Sequence, residues 1–152
     1  MASMRSVTQD HRRIRSVLPG LAFEPLLNYP SMDSMKILIW NCHGARNNTF
    51  KRNLRELLRT HKPEILVLME TKVTFSSLGN FFNNLCFSAS IVVDPIGRMG
   101  GIWLLWDTAH VNVQTSSVSN QYIHATIHKE DYEEWVLSAV YASPNPATRE
   151  IL

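Results

Sequence analysis

Two short apolar runs each end in residues that can bind a hard cation. Ile37-Leu38-Ile39-Trp40 leads into Asn41-Cys42-His43-Gly44, and Ile65-Leu66-Val67-Leu68-Met69 leads into Glu70-Thr71-Lys72. A carboxylate with an amide is an oxygen-rich pair suited to Mg²⁺ rather than to zinc, provided the chain brings the two together. The intervening segment supplies the means. Over Asn48–His61, Phe50, Leu54, Leu57 and Leu58 recur at helical spacing, Lys51, Arg52, Arg55, Glu56 and Arg59 fall largely on the other side, and Pro63 marks the end. Strand, helix and strand with short joints predict a βαβ unit, whose right-handed crossover leaves the strands parallel with both carboxyl ends on one edge. Asn41 and Glu70 are therefore expected to converge where open α/β sheets usually bind ligands. Spacing alone equally accommodates an Asn capping the helix region and a solvated Glu.

Four strings reach further. Trp40-Asn41-Cys42-His43-Gly44, Met69-Glu70-Thr71-Lys72, Gly97-Arg98-Met99-Gly100-Gly101-Ile102 and Val140-Tyr141-Ala142-Ser143-Pro144-Asn145 stand in the order seen in the endonuclease/exonuclease/phosphatase superfamily. From Met35 onward the chain most closely resembles the endonuclease domain of plant LINE-type (non-LTR) retrotransposon polyproteins. The resemblance implies an α/β protein, a partial four-layered α/β sandwich of the DNase I-like kind. In it this chain supplies the first sheet with its flanking helices. It also implies phosphodiester hydrolysis with Mg²⁺, or Mn²⁺ in its place, and DNA as the partner. By the same resemblance Asn41 helps to position metal and phosphate, Glu70 is the main metal-binding carboxylate, Tyr141 contacts the scissile phosphate and Asn145 lies nearby in the substrate cleft. Arg46, with Lys51, Arg52, Arg55 and Arg59 around the first helix, is a candidate for phosphate contact; a solvated helix face explains the same charges.

Two departures temper the resemblance. In the family the attacking water is activated by an Asp-x-Asn motif beyond the tyrosine strand and by an Asp-His motif near the domain's end. Here the only acidic residue after Tyr141 is Glu150. The expectation is a truncated domain with little or no activity alone, its first sheet lacking a packing partner and so prone to self-association. Asp10-His11 precedes the first strand and reads as part of a solvated polar leader rather than as a displaced catalytic pair. His43 occupies a position where some branches of the superfamily carry an acidic residue, and it reads as a loop side chain at the cleft rim without catalytic duty. Two alternatives stay open: an active endonuclease completed in trans or by dimerisation, and a non-enzymatic module that binds nucleic acid or protein.

The remaining chain constrains these readings without adding chemistry. Residues 1–34 mix Arg5, Arg12, Arg13 and Arg15 with Pro19, Gly20, Pro25 and Pro30, which favours a loose leader ahead of the domain at 35–152. A content of 45% hydrophobic residues suffices for a core, and the formal charge of +2 imposes no strong bias towards nucleic acid. Cys42 and Cys86 lack metal-ligand spacing and fit a reduced, intracellular compartment, nuclear or cytoplasmic. His124 and His128 are four apart on an alternating run, roughly 13 Å along a strand and too far for one ion. No apolar run approaches the roughly 20 residues of a membrane helix. Beyond Lys72 the pattern predicts a helix or loop near 75–85, then strands at 87–93, 101–106, 111–116, 122–128 and 135–141. Trp103 and Trp106 face opposite sides of one of these, so at most one is expected in the core.

Overall fold

The computed structural model describes residues 4–8, 35–143 and 146–148. Chain order gives strands β1 (Met4–Thr8) and β2 (Lys36–Asn41), helix α1 (Asn48–His61), strand β3 (Ile65–Met69) and a 3₁₀ segment (Phe75–Asn84). Strands β4 (Ala89–Val93), β5 (Ile102–Trp106), β6 (Asn112–Val118), β7 (Tyr122–His128) and β8 (Trp135–Val140) follow, then a 3₁₀ turn at Pro146–Thr148.

The βαβ unit forms as its pattern predicts. Asn47 caps α1, its Oδ1 accepting from Phe50 N at 2.7 Å, and Lys62 ends it in a left-handed conformation with its N–H donating to Leu58 O at 2.9 Å. Phe50 and Leu54 are the buried face of the helix. Strands β2 and β3 are parallel, with Asn41 opposite Met69. That register sets Asn41 beside the residue following β3, which is Glu70.

One sheet has the order β1-β2-β3-β5-β4, with only the β2–β3 pair parallel; the other is the antiparallel sheet β6-β7-β8. The pleat of β3 and β5 explains the layering. Ile65, Val67, Ile102, Leu104 and Trp106 project to one side and pack with Val111, Val113, Ile123, Ala125, Ile127, Leu137 and Ala139 of the second sheet and its approach. Leu66, Leu68, Trp103 and Leu105 project to the other, against Phe50 and Leu54 of α1 and Leu78, Phe81 and Phe82 of the 3₁₀ segment. The result is an α/β sandwich of helical layer, sheet and second sheet.

Three expectations are corrected by this packing. The inner face of the first sheet is covered by β6–β8 of the same chain, so the surface expected to drive self-association is buried. Both tryptophans are core: Trp103 is fully buried on the helical side and Trp106 is buried between the sheets, because β5 has partners on both faces. Met4–Thr8, placed by its composition in a loose leader, is an edge strand antiparallel to β2, its backbone taking up the free side of that strand. No helix among the described residues is long and apolar enough to cross a membrane.

Candidate active site

Asn41 closes β2 and Glu70 opens the loop after β3, so parallel pairing delivers both side chains to one sheet edge. Asn41 Nδ2 donates to Glu70 Oε1 at 3.1 Å. The loops behind them are tied together by backbone: Cys42 N donates to Met69 O at 3.0 Å and Ala45 N to Thr71 O at 2.8 Å. The second loop is in turn anchored to the entry of β5, where Lys72 N donates to Gly100 O at 3.1 Å. Gly101 is required there, since it adopts φ +90° and a Cβ at that position would collide with the Thr71 hydroxyl.

His43 is the residue whose role the sequence understated. Its backbone takes φ 51°, which turns the side chain back over the strand end, and Nδ1 lies 2.6 Å from Glu70 Oε2. The expected rim histidine is therefore in direct contact with the candidate metal carboxylate. The legible sign was Gly44 beside it, also at positive φ, marking a reversal that a strand end alone does not need. Lys72, quoted within a motif but assigned nothing, places Nζ 3.8 Å from the same oxygen.

These neighbours set the charge. Partial burial acts to raise the Glu70 pKa, but hydrogen bonds from Asn41 and His43 and the charges of His43 and Lys72 outweigh it, so the carboxyl titrates below its ordinary value. Tyr141 follows β8 and reaches the edge from the second sheet, held by its N–H donating to Gln121 O at 2.7 Å. Its ring stands against Gly100, where an added Cβ would approach to 3.2 Å. Burial and the Glu70 charge both raise the phenol pKa, keeping the hydroxyl protonated. Cys42 is pushed up to about 11 by burial, and its thiol donates to Met69 O at 3.4 Å.

Asn41, Glu70 and Tyr141 thus share one edge. Arg46 lines a separate cavity of about 290 Å³ with Lys51, Val73, Thr74, Ser77 and Leu78, which includes none of these three. Asn145, Asp10-His11 and Glu150 lie outside the described residues. His124 is hydrogen-bonded to Ser138 at 2.8 Å, and His128 pairs with Glu134 at 3.0 Å. Among the described residues no three His, Cys, Asp or Glu side chains gather into a chelating cluster.

The two-sheet α/β sandwich is a DNase I-like fold. Residues 38–141 match the Endonuclease/Exonuclease/phosphatase family, and the chain belongs to it. No curated protein matches the chain. Among solved structures it is similar to the AP endonuclease LMAP from Leishmania major, with TM-score 0.52 and 14% identity over 70% of this chain. At that identity the likeness shows the fold. The aligned part spans 40% of the Leishmania enzyme's chain.

Proposed function

We propose that the chain is part of a Mg²⁺-dependent nucleic-acid phosphodiesterase of the kind found in LINE-type retrotransposons, with weak turnover by itself. The observation that carries the reading is the Asn41–Glu70 hydrogen bond across parallel strand ends, with Tyr141 converging on the same edge from the other sheet. The donor chemistry fits Mg²⁺, which is commonly held by one or two carboxylates and keeps several waters. Glu70 and Asn41 would hold it, and when bound it would supply Lewis-acid stabilisation of phosphoryl charge.

The chain's own groups do the rest. Glu70 is an ionised carboxylate at neutral pH, and its neighbours lower its pKa further. Asn41 orients that carboxylate through its amide. Tyr141 retains its proton and can donate a hydrogen bond to a non-bridging phosphate oxygen, while Lys72 adds positive charge towards the same centre. Weak turnover is part of the proposal; among the described residues no three His, Cys, Asp or Glu side chains gather into a chelating group.

The test is nicking of supercoiled plasmid by the purified full chain in Mg²⁺, with EDTA and Glu70→Ala as controls. Slow nicking that both controls abolish is expected. Nicking indifferent to Glu70→Ala would remove the site from the mechanism. Tight nucleic-acid binding without any Mg²⁺ dependence would favour a non-enzymatic module instead.

A further inference from the structure

The first sheet carries a second hollow, at the end remote from Glu70. Pro63 and Glu64 lead from it into β3, whose far end delivers Glu70, so hollow and candidate site lie at opposite ends of one strand. The cavity measures about 660 Å³, within the roughly 300–1,000 Å³ usual for small-molecule pockets. Its walls are predominantly apolar, with Leu58 of α1, Pro63, and Leu85 and Phe87 from the segment after the 3₁₀ turn. Backbone bonds fix those walls: Leu85 N donates to Phe82 O at 3.0 Å, Ser88 N to Trp106 O at 3.0 Å and Asp107 N to Glu64 O at 3.4 Å. The hollow is therefore preformed.

Its charged residues decide what fits. Arg55, Arg59 and Lys62 line the cavity together with the acids Glu64 and Asp107. Both acids are engaged: Glu64 Oε1 accepts from Lys129 Nζ at 2.6 Å, and Asp107 accepts from Ala109 N at 3.0 Å and stands 2.9 Å from His110 Nδ1. Arg59 is held by Glu56 at 2.7 Å. Among the described residues no carboxylate meets Arg55 or Lys62; the Arg55 guanidinium lies over the Phe81 ring, 5.0 Å from its centroid. Two uncompensated cations beside apolar walls complement an anionic head joined to an apolar body. We propose that this cavity binds a small amphipathic organic anion, its apolar body against Leu58, Leu85 and Phe87 and its head met by Arg55 and Lys62. The site is separate from the phosphodiester edge and stands whether or not that edge hydrolyses anything.

The test uses the full chain and two fluorescent probes with matched apolar bodies, the anion anilinonaphthalene sulfonate and the uncharged phenylnaphthylamine. With the native near-ultraviolet circular dichroism intact, the wild-type chain should bind the sulfonate at a single saturable site. R55Q/K62Q should bind the sulfonate about tenfold more weakly and the neutral probe unchanged, because only the head loses its partners. Cys86→Trp, at an exposed position lining the cavity, should fill the hollow and abolish both signals without lowering the melting temperature. Saturating sulfonate should in turn slow alkylation of Cys86 by iodoacetamide in the wild-type chain; this assay needs no variant and decides the matter should Cys86→Trp fail to fold. Sulfonate binding that persists in folded Cys86→Trp, equal losses of both probes in R55Q/K62Q, unslowed alkylation, or no saturable binding by the wild-type chain would each overturn the proposal. A wild-type dimer that Cys86→Trp converts to a monomer on size exclusion would do so too, since a second copy of the chain would then be the occupant.

Discussion

Glu70 titrates below its ordinary value because of its neighbours, and those neighbours differ in how legible they were. Asn41 could be read because it ends a strand that a helix connects to another of the same direction, so geometry follows from the crossover. His43 could not, because its contact depends on a single left-handed residue, which an alternating apolar pattern does not encode. Asn145 was reached by resemblance and lies outside the described residues. Cys42, between Asn41 and His43, gives a prediction. Burial raises its thiol from 9.0 to about 11, so at pH 8 iodoacetamide should modify the exposed Cys86 and spare Cys42, as peptide mass mapping would show. Above pH 9 the unfolded thiol loses its proton before the folded one does, so the native state binds more protons and stability falls as pH rises towards about 11. Each tenfold difference in proton affinity is worth about 1.4 kcal/mol, so urea titrations across that window should show a loss on the order of 2 kcal/mol that is absent from Cys42→Ala.

At the scale of elements, helix α1 was fully readable because caps and periodicity agreed. Asn47 holds its first turn, and Asn47→Ala should cost about 1 kcal/mol by chemical denaturation without altering the site, since the cap bond serves only the helix. The 3₁₀ segment was readable only as helix or loop. Gly79, at φ 54° and ψ −133°, breaks it internally, so short-range propensity gives no sustained period there. Its Phe75 and Phe82 rings meet Trp103 edge-on at 5.2 and 5.7 Å, and this contact makes Trp103 core. Strand β1 was missed because the backbone of a partner strand, rather than any pattern of its own, gives it a place.

Across the whole molecule the two sheets share one apolar interior, which is why an expectation of an open inner face failed: strands β6 to β8 alternate, and their apolar side had to close on something. Ile127, fully buried between the sheets, reports on that union. Ile127→Ala should lose about 2–5 kcal/mol, and near-ultraviolet and far-ultraviolet melting curves should still coincide, because neither sheet keeps a core without the other. Separate transitions would mean that the sheets fold independently. Against this economical interior stand His43, Glu70 and Lys72, all non-glycine residues at positive φ of 51°, 55° and 58°. Each such conformation is unfavourable by about 1 kcal/mol or more, and their clustering at a site edge is characteristic of function. Selection for activity and selection for stability therefore pull in opposite directions at these three codons. Replacement of any of them by glycine would relieve the backbone while removing the side chain that meets at Glu70, so a chain with glycine at one of these positions should fold more stably and lose that contact.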